Sequence, residues 1–245
     1  MGQLDHARTV AATEGFLGIL MLDTRFPRPP GDIGHPETFP WRVERRVVGG
    51  AVPARIVQCA DGLRASGVVQ DFVVAARALT ARGARAITTS CGFLVLLQSE
   101  LQAAVPVPLF SSSLLWLPLL LARQQQVGVL TISAASLEPA HLLAAGVPAQ
   151  RLGDVLVQGV AADGEFATRL LSNATHMDLD AACRDVVAAA KALRARAPAL
   201  RAVVLECTNM PPYRAAVEAA TGLQTHWLGN LPALAKAMDA PAVGD

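Results

Sequence analysis

Two stretches of this chain repeat one another, and that repeat restricts the fold more than any other feature. The first is Ala84-Arg85-Ala86-Ile87-Thr88-Thr89-Ser90-Cys91-Gly92 and the second is Leu200-Arg201-Ala202-Val203-Val204-Leu205-Glu206-Cys207-Thr208. Their cysteines stand 116 residues apart, and at that offset Arg85 meets Arg201, Ala86 meets Ala202 and Ile87 meets Val203. The match resumes where Ala103-Ala104 meets Ala219-Ala220. Each copy reads as a buried strand, a cysteine at its carboxyl end, a helix, and then another strand. Val127-Gly128-Val129-Leu130 likewise echoes Leu17-Gly18-Ile19-Leu20, at an offset of 110. Such a chain is a duplication with a pseudo-twofold relation, and its period is too long for a solenoid.

The rest of the chain fits that plan. Residues 1–15 read as a loose arm, and Phe16–Leu22 as a buried first strand. Segment 23–53 carries prolines at 27, 29, 30, 36, 40 and 53, shows no helical period, and reads as a lid or pocket wall with a short hairpin around Val47-Val48. Strands are predicted at 54–59, 84–90 and 107–110 in the first half, and at 127–130, 154–160, 200–206 and 224–227 in the second. Helices are predicted at 66–82 (Ser66 as N-cap, Gly83 as stop), 92–104, 114–124, 138–145, 178–196, 211–220 and 231–238, with a polar stretch at 163–176. Pro118 implies a kink or a late start in the helix that contains it. Alternating strands and helices with uniformly apolar strands imply an α/β fold of two similar halves, each a short, mainly parallel sheet flanked by helices.

Composition narrows the function. Hydrophobic residues make up 52% of the 245, enough for a substantial core, and the net charge of +1 is spread along the chain rather than gathered into a stripe for nucleic acid. The lysines are Lys191 and Lys236, on faces that read as exposed, so a Schiff-base lysine and pyridoxal phosphate are not expected. The histidines fit no metal spacing, and no dinucleotide, Walker or Gly-x-Ser-x-Gly motif is present, so neither a metal nor a cofactor is expected. The cysteines Cys59, Cys91, Cys183 and Cys207 include no Cys-x-x-Cys element, which suits free thiols in a reducing cytoplasm. No secretory signal is visible, and the apolar runs Phe16–Leu22 and 114–122 are seven and nine residues long, too short to span a bilayer. A homodimer is the default assembly.

In parallel sheets, ligands bind beyond the carboxyl ends of the strands. The polar groups there are Asp23-Thr24, Thr88 to Cys91, Ser111–Ser113, Ser133 and Cys207-Thr208-Asn209. Hydroxyls and backbone N–H groups at helix starts hold a carboxylate without lysine or arginine, which makes Gly92, Ser111 and Ser112 candidates beside the cysteines. A single buried cysteine reads as a small hydrophobe, the reading that suits Cys183 and Cys59, although Cys59 at a strand end could line the pocket. The paired placement of Cys91 and Cys207 instead suits one thiolate removing a proton from carbon and one thiol returning a proton to the opposite face. His176 and His226 are candidate helpers, and Arg25, Arg28 and Arg42 could meet a second acidic group of the substrate. Each of these five also reads as an ordinary loop or surface residue.

The motifs Thr88-Thr89-Ser90-Cys91-Gly92 and Glu206-Cys207-Thr208-Asn209-Met210-Pro211-Pro212 resemble the paired motifs of the aspartate/glutamate racemase superfamily. The run from Met21 to Gly34 resembles a subgroup of its uncharacterised members. The resemblance implies two similar α/β domains, pseudo-twofold related, with the active site in the cleft between them. It places the first at residues 1–110 with 228–245 and the second at 111–227, the last helix of each half crossing to the other. It implies that Cys91 and Cys207 are the catalytic acid and base, that Thr89, Ser90, Thr208 and Asn209 bind substrate, and that Asp23 and Thr24 lie in a further active-site loop. The implied activity is a cofactor-independent amino-acid racemase or epimerase acting on a small carboxylate. Hydantoin racemase and maleate-type cis–trans isomerase are alternatives within the superfamily, since Asn209 stands where glutamate racemases carry histidine. A small-anion binding protein without catalysis is the alternative from another class.

Overall fold

Phe16–Leu22 forms strand β1, buried along its whole length, in a computed structural model that describes residues 15–240. Strands buried on both faces need no alternation of polar and apolar residues, which is why β1 reads as a continuous apolar run. With β2 (Val43–Val48), β3 (Ala84–Thr89) and β4 (Leu109–Phe110) it makes a parallel sheet of order β2-β1-β3-β4. The second half supplies β5 (Val127–Thr131), β6 (Val155–Gly159), β7 (Ala202–Leu205) and β8 (Gln224–His226), parallel again and ordered β6-β5-β7-β8. Strand for strand the two orders are the same, so the duplication seen in the sequence is a duplication of topology. Most of the residues 1–15 read as an arm lie outside the described part.

Four expectations are corrected. No strand forms at 54–59: Pro53–Ile56 is a single helical turn, with Pro53 supplying a fixed φ at its start. The strand that pairs with β1 lies inside the long loop instead, running parallel to it from Leu17↔Val43 to Leu22↔Val48, with no hairpin at Val47-Val48. It was hidden by its charges. Glu44 of β2 pairs with Arg42 and with Arg82, which ends the helix Val69–Ala81. The polar stretch 163–176 contains a helix, Glu165–Leu171, whose Phe166, Ala167 and Leu170 are buried. Ser66 caps no helix start: it ends the short helix Ala60–Ala65, Gly67 turns the chain with φ +73°, and the amphipathic helix starts at Val69.

Each sheet is also covered by a helix from the other half. The helix Leu117–Leu121, with Pro118 in its first turn, follows β4 and buries Leu117, Leu120 and Leu121 in the core shared with β5 residues Val127, Val129 and Leu130. The closing helix Pro232–Asp239 returns: Leu228, Leu231, Leu234 and Met238 pack with Leu17, Ile19, Met21 and Ala86 of the first sheet. Ile33 and Phe39 of the long loop join that cluster, which pins the loop at its middle. Among the described residues, no helix is long and apolar enough to cross a membrane.

Candidate active site

The carboxyl ends of β1, β3, β5 and β7 point towards one another, and the two cysteines follow β3 and β7 directly. The local builds are equivalent. Ser90 N donates to Leu20 O across β3 and β1, and Glu206 N donates to Leu130 O across β7 and β5, both at 2.9 Å. After each cysteine loop the chain winds into a tight 3₁₀ turn, Gly92–Leu97 in one half and Pro211–Tyr213 in the other. The loops are tied together where Thr208 Oγ1 donates to Ser90 O at 2.7 Å. Between them lies a narrow cavity of about 30 Å³, lined by Cys91 and Cys207 with Ser90, Gly92, Glu206, Thr208 and Asn209. Its apolar wall includes Leu22, Phe26, Phe93 and Ile132, and among the described residues no arginine or lysine lines it.

Electrostatics in the cavity oppose negative charge. Burial pushes the Cys91 thiol well above its ordinary pKa, and the Glu206 carboxyl adds to this; the N–H groups of Phe93 and Leu94 pull the other way. Cys207 is raised by burial and by Glu206, with smaller contributions from Cys91 and Asp32, against one favourable N–H, that of Asn209. Glu206 is itself pushed up to about 8 by burial, against the hydroxyl of Thr131. The sulfurs are thiols at rest, and a cation brought into the cavity would favour their ionisation.

Cys207 also has a polar line behind it. Its S–H donates to Asn209 Oδ1 at 3.6 Å, and Asn209 Nδ2 donates to Asp32 Oδ2 at 2.5 Å. Asp32 Oδ1 accepts from Arg28 Nη1 and from Gly34 N, both at 2.7 Å, and Arg28 Nη2 donates to Thr24 Oγ1. The 23–53 loop is thus a strap from the first half to the second cysteine motif. Ile33 N donates to Thr208 O, and Gly31, with φ +94°, lies so close to Pro212 that a Cβ there would stand 3.2 Å from its Cα. A second tie joins Arg25 N to Asn173 Oδ1 and Asn173 Nδ2 to Asp23 O.

The cavity therefore gathers Cys91, Cys207, Ser90, Gly92, Thr208 and Asn209 from the expected set. The others are placed elsewhere. Thr89 Oγ1 shapes the Cys91 turn and bonds Ser111 O, Ser111 is held by Gln98, and Ser112 caps the turn Ser113–Trp116 by accepting from Leu114 N. Asp23 accepts from Gly50 N, Thr24 serves Arg28, and Ser133 pairs with Ser136. Arg28 and Arg42 are committed to Asp32 and Glu44, and Arg25 is exposed. His226 is buried against Trp116 with ring centroids 4.5 Å apart, and His176 lies in a separate surface hollow. Cys59 precedes the helix Ala60–Ala65 and does not line the cavity. Sequence reasoning missed Glu206 and Asp32. Glu206 had a signal: a carboxylate at the end of an otherwise apolar, buried strand, where its twin carries serine. Among the described residues, no group of three or more His, Cys, Asp or Glu could hold a metal ion.

Comparison with known proteins places this geometry. The sequence pattern of one family, Asp/Glu/Hydantoin racemase, matches residues 51–226. Dimethylsulfoniopropionate lyase 7 of Emiliania huxleyi is 31% identical over 229 residues, covering 89% of this chain and 65% of the lyase. Dimethylsulfoniopropionate lyase of Durusdinium sp. clade D is 31% identical over 217 residues, 86% of this chain and 70% of that protein. The chain thus spans less than two thirds of the length of the E. huxleyi relative. Among solved structures, allantoin racemase from Pseudomonas fluorescens aligns with a TM-score of 0.50 at 16% identity, over 86% of this chain and 84% of that one. Unliganded arylmalonate decarboxylase aligns with a TM-score of 0.50 at 15% identity, over 86% of each.

Proposed function

We propose that this chain, which belongs to the Asp/Glu/Hydantoin racemase family, removes the α-proton of a small carboxylate with a cysteine and then expels a β-substituent, as a lyase. The observation that carries the reading is the cavity itself: two thiols and one carboxyl among apolar and aromatic walls. Among the described residues it offers acid–base groups but no fixed cation. A zwitterion whose positive end is a sulfonium or ammonium group matches it. Phe26 and Phe93 are part of the cavity lining, and the charge of a bound cation offsets the cost of a buried thiolate. Ser90 Oγ accepts from Leu22 N at 2.8 Å, which leaves its own proton free for a carboxylate oxygen.

For dimethylsulfoniopropionate, the substrate named in the relatives, the step balances as follows. A cysteine thiolate takes the α-proton and the C–H pair becomes the double bond of acrylate. The carbon–sulfur pair then departs with dimethyl sulfide. The second reading is the racemase, favoured by the presence of one thiol from each twin loop, as return of a proton to the opposite face requires. Both readings share the first proton transfer.

The test is to supply dimethylsulfoniopropionate in deuterated water and follow volatile sulfide and acrylate, alongside deuterium uptake at the α-carbon of a panel of amino acids. Equal amounts of sulfide and acrylate are the expected result. Deuterium uptake with inversion and no sulfide would transfer the assignment to the racemase. Silence in both assays sinks α-deprotonation altogether.

A further inference from the structure

Glu206 is left unused by the two-cysteine scheme. It is fully buried directly after β7. Its Oε2 accepts from Thr131 Oγ1 at 2.8 Å, whereas Oε1, also buried, has no hydrogen-bond partner among the described residues. The carboxyl lies against the first cysteine loop: a Cβ at Gly92 would stand 2.2 Å from Oε1 and 2.4 Å from Glu206 O. Glycine at 92 is therefore required by the backbone at 206 as well as by its carboxyl, and the two positions fit each other across the halves. Leaving a buried acceptor unsatisfied is costly, a cost that serine, as at the twin position 90, would avoid. Buried polar groups with an open valence concentrate at working sites, and this one lines the same cavity as both thiols.

We propose that Glu206 is a third catalytic group of the cleft, the acceptor that takes the proton from a buried cysteine thiol and so generates the thiolate that attacks the substrate. The step is S–H plus carboxylate to thiolate plus carboxylic acid. The thiolate then takes the α-proton and becomes a thiol again, and Glu206 loses its proton to water as products leave. One proton is released per elimination, as the stoichiometry requires. An ordinary carboxylate is too weak a base for this. Burial raises Glu206 to about 8, within reach of a thiol whose ionisation is favoured by an incoming cation. The inference rests on α-deprotonation by cysteine, so its test includes an arm that needs no substrate.

That arm is the pH dependence of iodoacetamide alkylation at Cys91 and Cys207, read peptide by peptide in the unliganded protein. Glu206→Gln removes the like charge, so both midpoints fall by about one unit. In the activity arm the same variant loses roughly a hundredfold in kcat/KM, together with the rise in rate expected of the wild type near pH 8. The two arms move in opposite directions, with more reactive thiols and slower turnover, which a merely structural role does not produce. Unchanged midpoints overturn the proposal whether or not any substrate has been found. Lowered midpoints with full turnover also overturn it. If the wild type turns over nothing, α-deprotonation has failed and the alkylation arm alone judges the link between Glu206 and the thiols. Should Glu206→Gln not fold, Thr131→Val keeps the carboxyl but removes its donor. The wild-type pH rise must then move upwards, and an unmoved rise overturns the assignment.

Discussion

The two cysteine loops are built alike and equipped differently. Both follow the inner-to-outer strand step of a four-stranded parallel sheet, both bond back to the first strand of their half, and both lead into a 3₁₀ turn. The Cys91 loop carries a serine whose hydroxyl serves the backbone of Leu22, and two N–H groups favour its sulfur as thiolate. The Cys207 loop carries Glu206 in the serine's place, one favourable N–H, and the line through Asn209 to Asp32 and Arg28. Duplication supplies a symmetric frame, and the residues set in it make the two thiols chemically unequal. A frame with unequal acids suits a reaction that runs one way.

That inequality can be tested directly. Cys91→Ser and Cys207→Ser should each reduce turnover, the one that is the base by on the order of a thousandfold and the other by at least tenfold less. Equal losses in steady-state kinetics would restore the symmetric, two-base racemase. The stability of the protein should carry the mark of Glu206. Unfolded, its carboxyl ionises near 4.5, and folded near 8, so between those values the folded chain holds the extra proton. Stability is then full below the lower value and falls by about 1.4 kcal/mol per pH unit up to the higher one. Thermal melts across that window should show the decline, and Glu206→Gln should flatten it.

Two smaller effects separate the loops further. Asp32→Ala leaves Arg28 unpaired where their side chains are only 1% and 14% exposed, and should cost about 3 kcal/mol in urea unfolding. It should also alter the alkylation midpoint of Cys207 and leave that of Cys91 in place. Thr208→Val removes the buried bond to Ser90 O and should cost about 1 kcal/mol. A larger loss of activity than of stability would show that this tie sets the spacing of the loops.

Much of the fold was legible because its signals are local. Continuous apolar runs marked β1, β3, β5 and β7, and Gly83 and Gly146 stop helices with φ +96° and +88°. β2 was not legible. Edge strands need burial on one side only, and its Glu-Arg-Arg centre resembles loop. The helix Glu165–Leu171 escaped for a similar reason, since its polar flanks hide a short buried face. Within the site, Cys91, Cys207 and their neighbours followed from the repeat. Thr89, Ser111 and Ser112 have the right chemistry at strand ends, but nearby backbone groups and the Gln98 side chain consume it.

The sequence by itself determined the duplicated frame and the position of one cysteine at the same point of each copy, because strand length, side-chain period and helix stops are written within a few residues. Only the tertiary structure decided which polar groups face the cavity, how the strap from Asp23 onward reaches Asn209, and that the carboxyl of Glu206 sits beside Gly92. Those contacts join residues more than a hundred positions apart, and whether a carboxyl there is spent on a hydrogen bond or left open depends on neighbours that the local sequence does not contain.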